Sequence, residues 1–198
     1  LYEPLSKHTT LRIGGPAQYW IEPETEEGFA RLVKHCSSKG VPIFVLGRGS
    51  NLLVRDGGIR GVVVHLARGE FKKLEVKGET ITAGAGVRQK ELAIAARDAS
   101  LTGFEWFEGI PGNVGGALRM NAGAMGSEAF DQVISVRYVD ASGEFHTRTP
   151  MEMDVHYRNV PFLKNNFAVS ATFSGQSATS DVIEARMDES VRKRRNSQ

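Results

Sequence analysis

The chain has 198 residues, of which 40% are hydrophobic and 24% are charged, a composition typical of a globular domain with a substantial core. The formal net charge of +2 is too small to indicate nucleic-acid binding, and no apolar stretch is long enough for a membrane span or a secretion signal. The single cysteine, Cys36, excludes an internal disulfide and the five histidines lack metal-ligand spacing, so we expect a cytoplasmic protein without a metal.

A first subdomain, residues 1–67, is predicted to contain a β-α-β unit followed by one further strand. Thr25 is a candidate N-cap for the helix of this unit, and Gly40 is a candidate stop. Apolar residues alternate in the predicted strands and recur at helical spacing in the predicted helix. The strands cover residues 11–21 (interrupted at Gly14-Gly15-Pro16), 41–46 and 61–66, and the helix covers residues 24–39.

A second subdomain, residues 68–198, is predicted to be α+β, mostly antiparallel, and closed by a helix. That helix starts near Ser180, where Asp181 and Glu184 have the spacing of a capping box. Its basic run, residues 192–195, is typical of a last helical turn, although a nucleic-acid or localisation patch is the alternative. The other predicted elements are strands 74–76, 80–83, 133–139, 144–148 and 167–173, and a helix at 89–99.

Two glycine-rich segments carry the functional signal. Residues 109–126 hold six glycines and three alanines, which predicts neither a helix nor a strand but a wall where the backbone approaches a flat or anionic ligand. Residues 47–51, Gly-Arg-Gly-Ser-Asn, follow an apolar strand and offer amides, a hydroxyl and a carboxamide to a phosphate. This turn is neither a Walker loop nor the dinucleotide fingerprint, because Leu52 stands where the third glycine belongs.

These segments occur with further short motifs, in an order and spacing that span nearly the whole chain. The further motifs are residues 4–15, Gly84-Ala85-Gly86, Met120-Asn121-Ala122-Gly123-Ala124 and Tyr157-Arg158. Together they resemble the UDP-N-acetylenolpyruvoylglucosamine reductase family, flavoenzymes that make UDP-N-acetylmuramate for bacterial peptidoglycan. The resemblance implies an α+β, two-subdomain FAD-binding fold of the vanillyl-alcohol-oxidase/PCMH type, with FAD between the subdomains.

The resemblance also implies roles for individual residues. Arg158 would be catalytic, because a guanidinium can hold the enolpyruvyl carboxylate and stabilise the enol that forms on hydride addition; from the residue pair alone it would be a surface ion-pair partner. The other implied residues would bind the pyrophosphate or flavin of FAD. They are Val45, Leu46, Gly47, Arg48, Gly49, Ser50, Asn51, Gly109, Ile110, Pro111, Gly112, Val114, Gly115, Gly116, Asn121, Ala122, Gly123, Tyr157 and Arg195.

The implied reaction uses NADPH to reduce FAD and then reduces a small-molecule substrate, a UDP-sugar enolpyruvyl ether, with no nucleic-acid or membrane partner. In the family a third, substrate-binding domain supplies the acid and a glutamate, so we expect turnover to need residues beyond Gln198. Met125 and Ser127 replace the family's usual tyrosine and glycine, so we expect details of the flavin edge to differ from those of the family. The alternatives are another flavin oxidase or dehydrogenase of this fold, a non-catalytic flavin-binding module, and a nucleotide-sugar binder without flavin.

Overall fold

A computed structural model describes residues 1–196, except for the side chain of Arg195. Within this range the helices are α1 Glu26–Ser38, α2 Gln89–Asp98, α3 Val114–Met120 and α4 Ser180–Asn196. The strands are β1 Glu3–Pro4, β2 Pro16–Ile21, β3 Ile43–Leu46, β4 Ile59–His65, β5 Leu74–Lys77, β6 Thr80–Gly84, β7 Leu101–Thr102, β8 Gly123–Ala124, β9 Ser127–Glu128, β10 Val133–Val139, β11 Phe145–Arg148, β12 Phe167–Ser174 and β13 Gln176–Ser177. None of the helices in the described residues is both long and apolar enough to cross a bilayer.

The first sheet has the strand order β1-β2-β4-β3, and β4 runs parallel to both of its neighbours. The predicted β-α-β unit is present, but β4 lies between β2 and β3, so these two strands do not pair. The strand predicted from residue 11 begins at Pro16 instead. The predicted cap of α1 is confirmed, because the Thr25 hydroxyl accepts a hydrogen bond from the Gly28 N–H at 3.1 Å.

The second sheet has the order β11-β10-β12-β6-β5, and each pairing in it is antiparallel. Both predicted hairpins are confirmed, one turning near Gly78 and the other between β10 and β11. The predicted last strand is also present and lies between the two hairpins as β12. This central position buries Val169, Ala171 and Phe173 on one face of the strand.

The expectation that residues 109–126 would form neither helix nor strand is wrong for residues 114–120, which form α3, and for residues 123–124, which form β8. Val114, Ala117 and Leu118 are buried at helical spacing, and their packing outweighs the poor helix propensity of Gly115 and Gly116. The helix ends at Met120, and its C-cap, Asn121, has a left-handed backbone with φ 38°. Gly115 and Gly116 therefore form part of a helix that faces the candidate site.

One hydrophobic cluster joins the two sheets through α1. Phe29 of α1 is fully buried, and its ring meets those of Phe71 and Phe167 edge-on with centroids 5.9 Å away in each case. The same cluster contains Val64 from the first sheet and Val169 from the second. The division between residues 67 and 68 stays a prediction, since this core is common to both sheets.

Candidate functional site

The two glycine-rich segments meet in space although 61 positions separate their contacting residues. The Ser50 hydroxyl donates a hydrogen bond to the Pro111 carbonyl at 2.8 Å. A Cβ on Gly112 would lie 3.5 Å from the same hydroxyl oxygen. The turn after β3 and the loop before α3 are thus two sides of one groove.

Glycine is required in the turn after β3 because the backbone there is left-handed at Gly49 and leaves little room for a Cβ. Gly49 has φ +60°, and a Cβ at this position would lie 2.3 Å from the His8 carbonyl oxygen. The Gly49 carbonyl accepts a hydrogen bond from Thr10 N–H at 3.1 Å, so the N-terminal segment supports the turn from outside. On the inner side, a Cβ on Gly47 would lie 3.2 Å from Asn113 Oδ1. The turn is held rigidly against the loop that precedes α3.

A cavity of about 490 Å³ lies between these two sides. Most of the predicted FAD-binding residues and the predicted catalytic arginine line it. They are Val45, Leu46, Gly47, Arg48, Gly49, Ser50, Asn51, Ile110, Pro111, Gly112, Gly116, Ala122, Gly123 and Arg158. The structure therefore brings together residues from both glycine segments and from the Tyr157-Arg158 motif.

Other predicted residues lie outside this cavity. Val114 is 1% exposed and its N–H donates to the Val87 carbonyl at 2.9 Å, so the structure favours a supporting role for it. Gly115 lines a neighbouring cavity, and a Cβ on Gly109 would lie 3.2 Å from Arg194 Cδ. The Tyr157 side chain is 75% exposed. The remaining predicted residue, Arg195, has its side chain outside the described part of the structure.

Arg158 reaches the cavity from an exposed loop. Its Nη2 donates to the Gly123 carbonyl at 2.6 Å, and its Nη1 donates to the Asn121 carbonyl at 3.4 Å. The guanidinium carbon also lies 5.1 Å from the centre of the Tyr157 ring. These contacts use only part of the five N–H donors of the guanidinium, so the rest remain for a ligand.

Asn121 supports this loop and does not line the cavity. It is 1% exposed, and its amide donates to Glu128 Oε2 at 2.6 Å and to the His156 carbonyl at 3.2 Å. Its Oδ1 accepts from the Phe130 N–H at 3.2 Å. Asn121 therefore ties the segment after α3 to the loop that carries Arg158, and the structure favours this positioning role over contact with FAD.

Two buried carboxamides that the sequence analysis did not assign also line the cavity. Gln89 is 2% exposed and Asn113 is 7% exposed. Their oxygens, Gln89 Oε1 and Asn113 Oδ1, accept no hydrogen bond from any residue that the structure describes. A buried acceptor without a donor is costly, so these two atoms indicate a buried water that donates to them. Asn113 could have been predicted from the sequence as a lining residue, because it lies inside the glycine-rich segment of residues 109–126.

A second cavity of about 410 Å³ adjoins the first along β3 and α3. Gly47, Asn113, Gly116 and Arg119 are among the residues that line both cavities. Arg119 was missed in the sequence analysis because its segment was not expected to be helical. Once α3 is known, Arg119 falls three residues after Gly116 on the face toward the groove.

The groove formed by the two cavities is strongly cationic. Four arginines and one lysine line it, and none of its described lining residues is Asp or Glu. Because a low-dielectric cleft focuses the field of its charges, the groove attracts anions. The lining cations are Arg48, Arg119, Arg158, Arg194 and Lys164.

Comparisons with known proteins agree with this geometry. Residues 17–148 match the FAD binding domain family. The chain is 44% identical to the UDP-N-acetylenolpyruvoylglucosamine reductase of Methylorubrum extorquens over 94% of its own length and 60% of that protein. It is 41% identical to the reductase of the same name in Syntrophomonas wolfei over 99% of its own length and 66% of that protein. The chain thus spans less than two thirds of either relative.

Solved structures show the same fold. The crystal structure of UDP-N-acetylenolpyruvylglucosamine reductase from Thermus caldophilus matches 97% of this chain and 68% of that one, with a TM-score of 0.86 and 35% identity. The grass pollen allergen Phl p 4, which has glucose dehydrogenase activity, matches 83% of this chain and 36% of its own, with a TM-score of 0.62 and 20% identity. The predicted α+β FAD-binding fold is confirmed.

Proposed function

Because the chain belongs to the UDP-N-acetylenolpyruvoylglucosamine reductase family, we propose that its groove binds FAD for the NADPH-dependent conversion of UDP-N-acetylenolpyruvoylglucosamine to UDP-N-acetylmuramate. This reaction would serve peptidoglycan synthesis in the bacterial cytoplasm. The family membership and the FAD binding domain support an FAD-dependent oxidoreductase. The substrate, NADPH and the complete reaction are proposals, since the chain spans only part of its relatives.

The observation that carries the proposal is the convergence of the two glycine segments on a cationic groove. Ser50 joins the segments through its bond to Pro111, and Gly49 and Gly112 hold the backbone in conformations that other residues rarely adopt. A dinucleotide has a pyrophosphate that must be neutralised and a flat ring that needs a wall without side chains. The groove meets both requirements.

The lining fits the remaining chemistry of FAD. A Cβ built on Gly116 meets no heavy atom within 4 Å, so the space above this residue is open groove into which a planar group can pack. Gln89 and Asn113 add polar side chains to the lining, although their oxygens Gln89 Oε1 and Asn113 Oδ1 are too buried to meet a ligand in this arrangement. Binding FAD would therefore neutralise positive charge in the groove and fill the open space beside Gly116.

Arg158 is the residue proposed to act on the substrate. When bound, FAD supplies the hydride chemistry, accepting a hydride from NADPH and delivering one to the enolpyruvyl double bond. The Arg158 guanidinium, oriented by the Gly123 carbonyl, would bind the enolpyruvyl carboxylate and stabilise the negative charge that develops on it. Asn121 would position this arginine by holding the two segments together. The proposed contact of Tyr157 with flavin or substrate stays a prediction.

An absorption spectrum recorded before and after addition of NADPH under argon tests the proposal. We expect the protein, after incubation with FAD and removal of free flavin, to show the flavin spectrum and to be bleached by NADPH. A protein that stays colourless contradicts FAD binding. A yellow protein that NADPH does not bleach contradicts the proposed reductant and favours a flavin-binding module or an enzyme with another electron donor.

A further inference from the structure

Arg119 is a half-buried cation in the last turn of α3, at the junction of the two cavities. Arg158 lines only the first cavity and Lys164 only the second, whereas Arg119 lines both. The wall that both cavities share opposite α3 contains Gly47 and Asn51 of the turn after β3. Arg119 thus shares the middle of the groove with the turn that is proposed to hold phosphate.

Arg119 has no protein partner among the described residues. Its guanidinium makes no hydrogen bond or ion pair with any of them, in contrast to that of Arg97, which pairs with Asp98 at 2.8 Å. Burial lowers the pKa of the Arg119 guanidinium, and no neighbouring carboxylate opposes that effect. Removing a guanidinium from water without a partner costs free energy. Such an arrangement is expected where the partner is a bound anion.

The protein itself does not provide that anion, because the described lining residues include no carboxylate. The planar guanidinium suits bidentate contact with phosphate oxygens. We propose that Arg119 binds a phosphate oxygen of the FAD pyrophosphate from the α3 side of the groove, opposite residues 47–51. This role rests on the FAD binding proposed above. It adds Arg119 to the FAD-binding residues that the family resemblance implied.

A purely structural role makes a different prediction. A cation in the last turn of a helix interacts favourably with the helix dipole, so removal of Arg119 would then lower the stability of the apoprotein. If Arg119 is instead an anion ligand held at a cost, its replacement by a neutral side chain leaves the melting temperature of the apoprotein unchanged or raises it. The melting temperature of the apoprotein therefore distinguishes the two roles, because only the helix-dipole role predicts a decrease.

The test compares Arg119→Gln with wild type and with Arg60→Gln. Arg60 is exposed in β4 and lines neither cavity, so its variant has the same net charge without a change in the groove. We expect Arg119→Gln to raise the Kd for FAD, measured by quenching of flavin fluorescence, by about tenfold or more. Arg60→Gln should stay within about twofold of wild type. Arg119→Lys, which keeps the charge but loses the planar fork, should fall between.

The outcomes separate this proposal from the function on which it rests. If wild type fails to bind FAD, both proposals are overturned. If wild type binds FAD and Arg119→Gln binds it within about twofold as tightly, only the role of Arg119 is overturned. The same holds if Arg119→Gln keeps its FAD affinity but weakens binding of UDP-N-acetylglucosamine, because the anion would then be the diphosphate of the substrate. A lower apoprotein melting temperature with unchanged FAD affinity would identify the helix-dipole role.

Discussion

Gly49 and Gly116 show two different uses of a missing side chain in one groove. At Gly49 the backbone has φ +60° and a Cβ would lie 2.3 Å from the His8 carbonyl oxygen, so the fold itself needs glycine. At Gly116 the backbone is helical and a Cβ would have no protein neighbour within 4 Å. The second glycine therefore keeps space free for a ligand and weakens the helix that contains it.

We predict that Gly116→Ala stabilises the apoprotein and weakens FAD binding. Alanine is a better helix former by about 0.5–1 kcal/mol, so the melting temperature of the apoprotein should rise. The added methyl group projects into the groove and should raise the Kd for FAD about tenfold. Differential scanning calorimetry and a flavin fluorescence titration measure these opposite effects.

Gly49→Ala is the matched control for this change. It places the same methyl group on a left-handed backbone, where it would lie 2.3 Å from the His8 carbonyl oxygen, and we expect it to destabilise the apoprotein by about 1–3 kcal/mol. An unchanged FAD affinity in Gly116→Ala would show that no part of the ligand approaches α3 at this position.

At the scale of elements, the hairpin of β10 and β11 is closed by Asp140. Its carboxylate accepts hydrogen bonds from the Ser142 hydroxyl at 2.6 Å, from the N–H groups of Ser142 and Glu144, and from His146 Nε2 at 2.8 Å. These bonds, with the Ser142 hydroxyl contributing most, hold the pKa of Asp140 well below its usual range. The turn predicted at residues 140–143 is thus stabilised by an ionised side chain.

This pKa predicts how the hairpin responds to pH. Because the pKa is lower in the folded state, the Asp140 contribution is present above the unfolded value of about 3.9 and is lost as the pH falls below it. Asp140→Asn should lower the free energy of unfolding at pH 7 by about 1 kcal/mol, with a shrinking difference from wild type below about pH 4. Urea denaturation at several pH values measures both.

Asp188→Asn provides the comparison for this pH dependence, since the Asp188 side chain is exposed on α4 and makes no hydrogen bond with a described residue. We expect this variant to follow wild type within about 0.5 kcal/mol over the same pH range. Equal effects of the two substitutions would contradict a special role for the Asp140 turn.

At the scale of the molecule, Phe29 connects the two sheets that carry the two sides of the groove. The turn at residues 47–51 follows β3 of the first sheet. Pro111 precedes α3, which packs on β6 and β12 of the second sheet. Phe29 packs between them, against Phe71 and Phe167. Its position makes the geometry of the groove depend on the shared core.

We predict that Phe29→Ala lowers the free energy of unfolding by about 3–5 kcal/mol, because it removes a fully buried ring at the contact between the sheets. It should also weaken FAD binding, since the two sides of the groove would no longer be held in one arrangement. Tyr19→Ala, at a 41% exposed position of β2, is the control and should cost far less. A loss below about 1 kcal/mol in Phe29→Ala would mean that the sheets are joined elsewhere.

Local patterns were sufficient to predict most elements of the fold. Alternation located the strands of both hairpins, and helical spacing with a cap at Thr25 located α1. The failure at α3 has a clear reason, since Gly115 and Gly116 disfavour a helix locally and only the burial of Val114, Ala117 and Leu118 compensates. Propensity is a short-range property, whereas this compensation comes from residues far along the chain.

The amino-acid sequence was enough to identify the two glycine segments, the type of ligand chemistry they favour and the family they resemble. It could not place β4 between β2 and β3, bring Ser50 to Pro111, or leave Arg119 and two buried carboxamide oxygens without protein partners. These features arise from pairings between distant segments, which local periodicity does not encode. The groove and its cationic lining exist only once both sheets have packed on their common core.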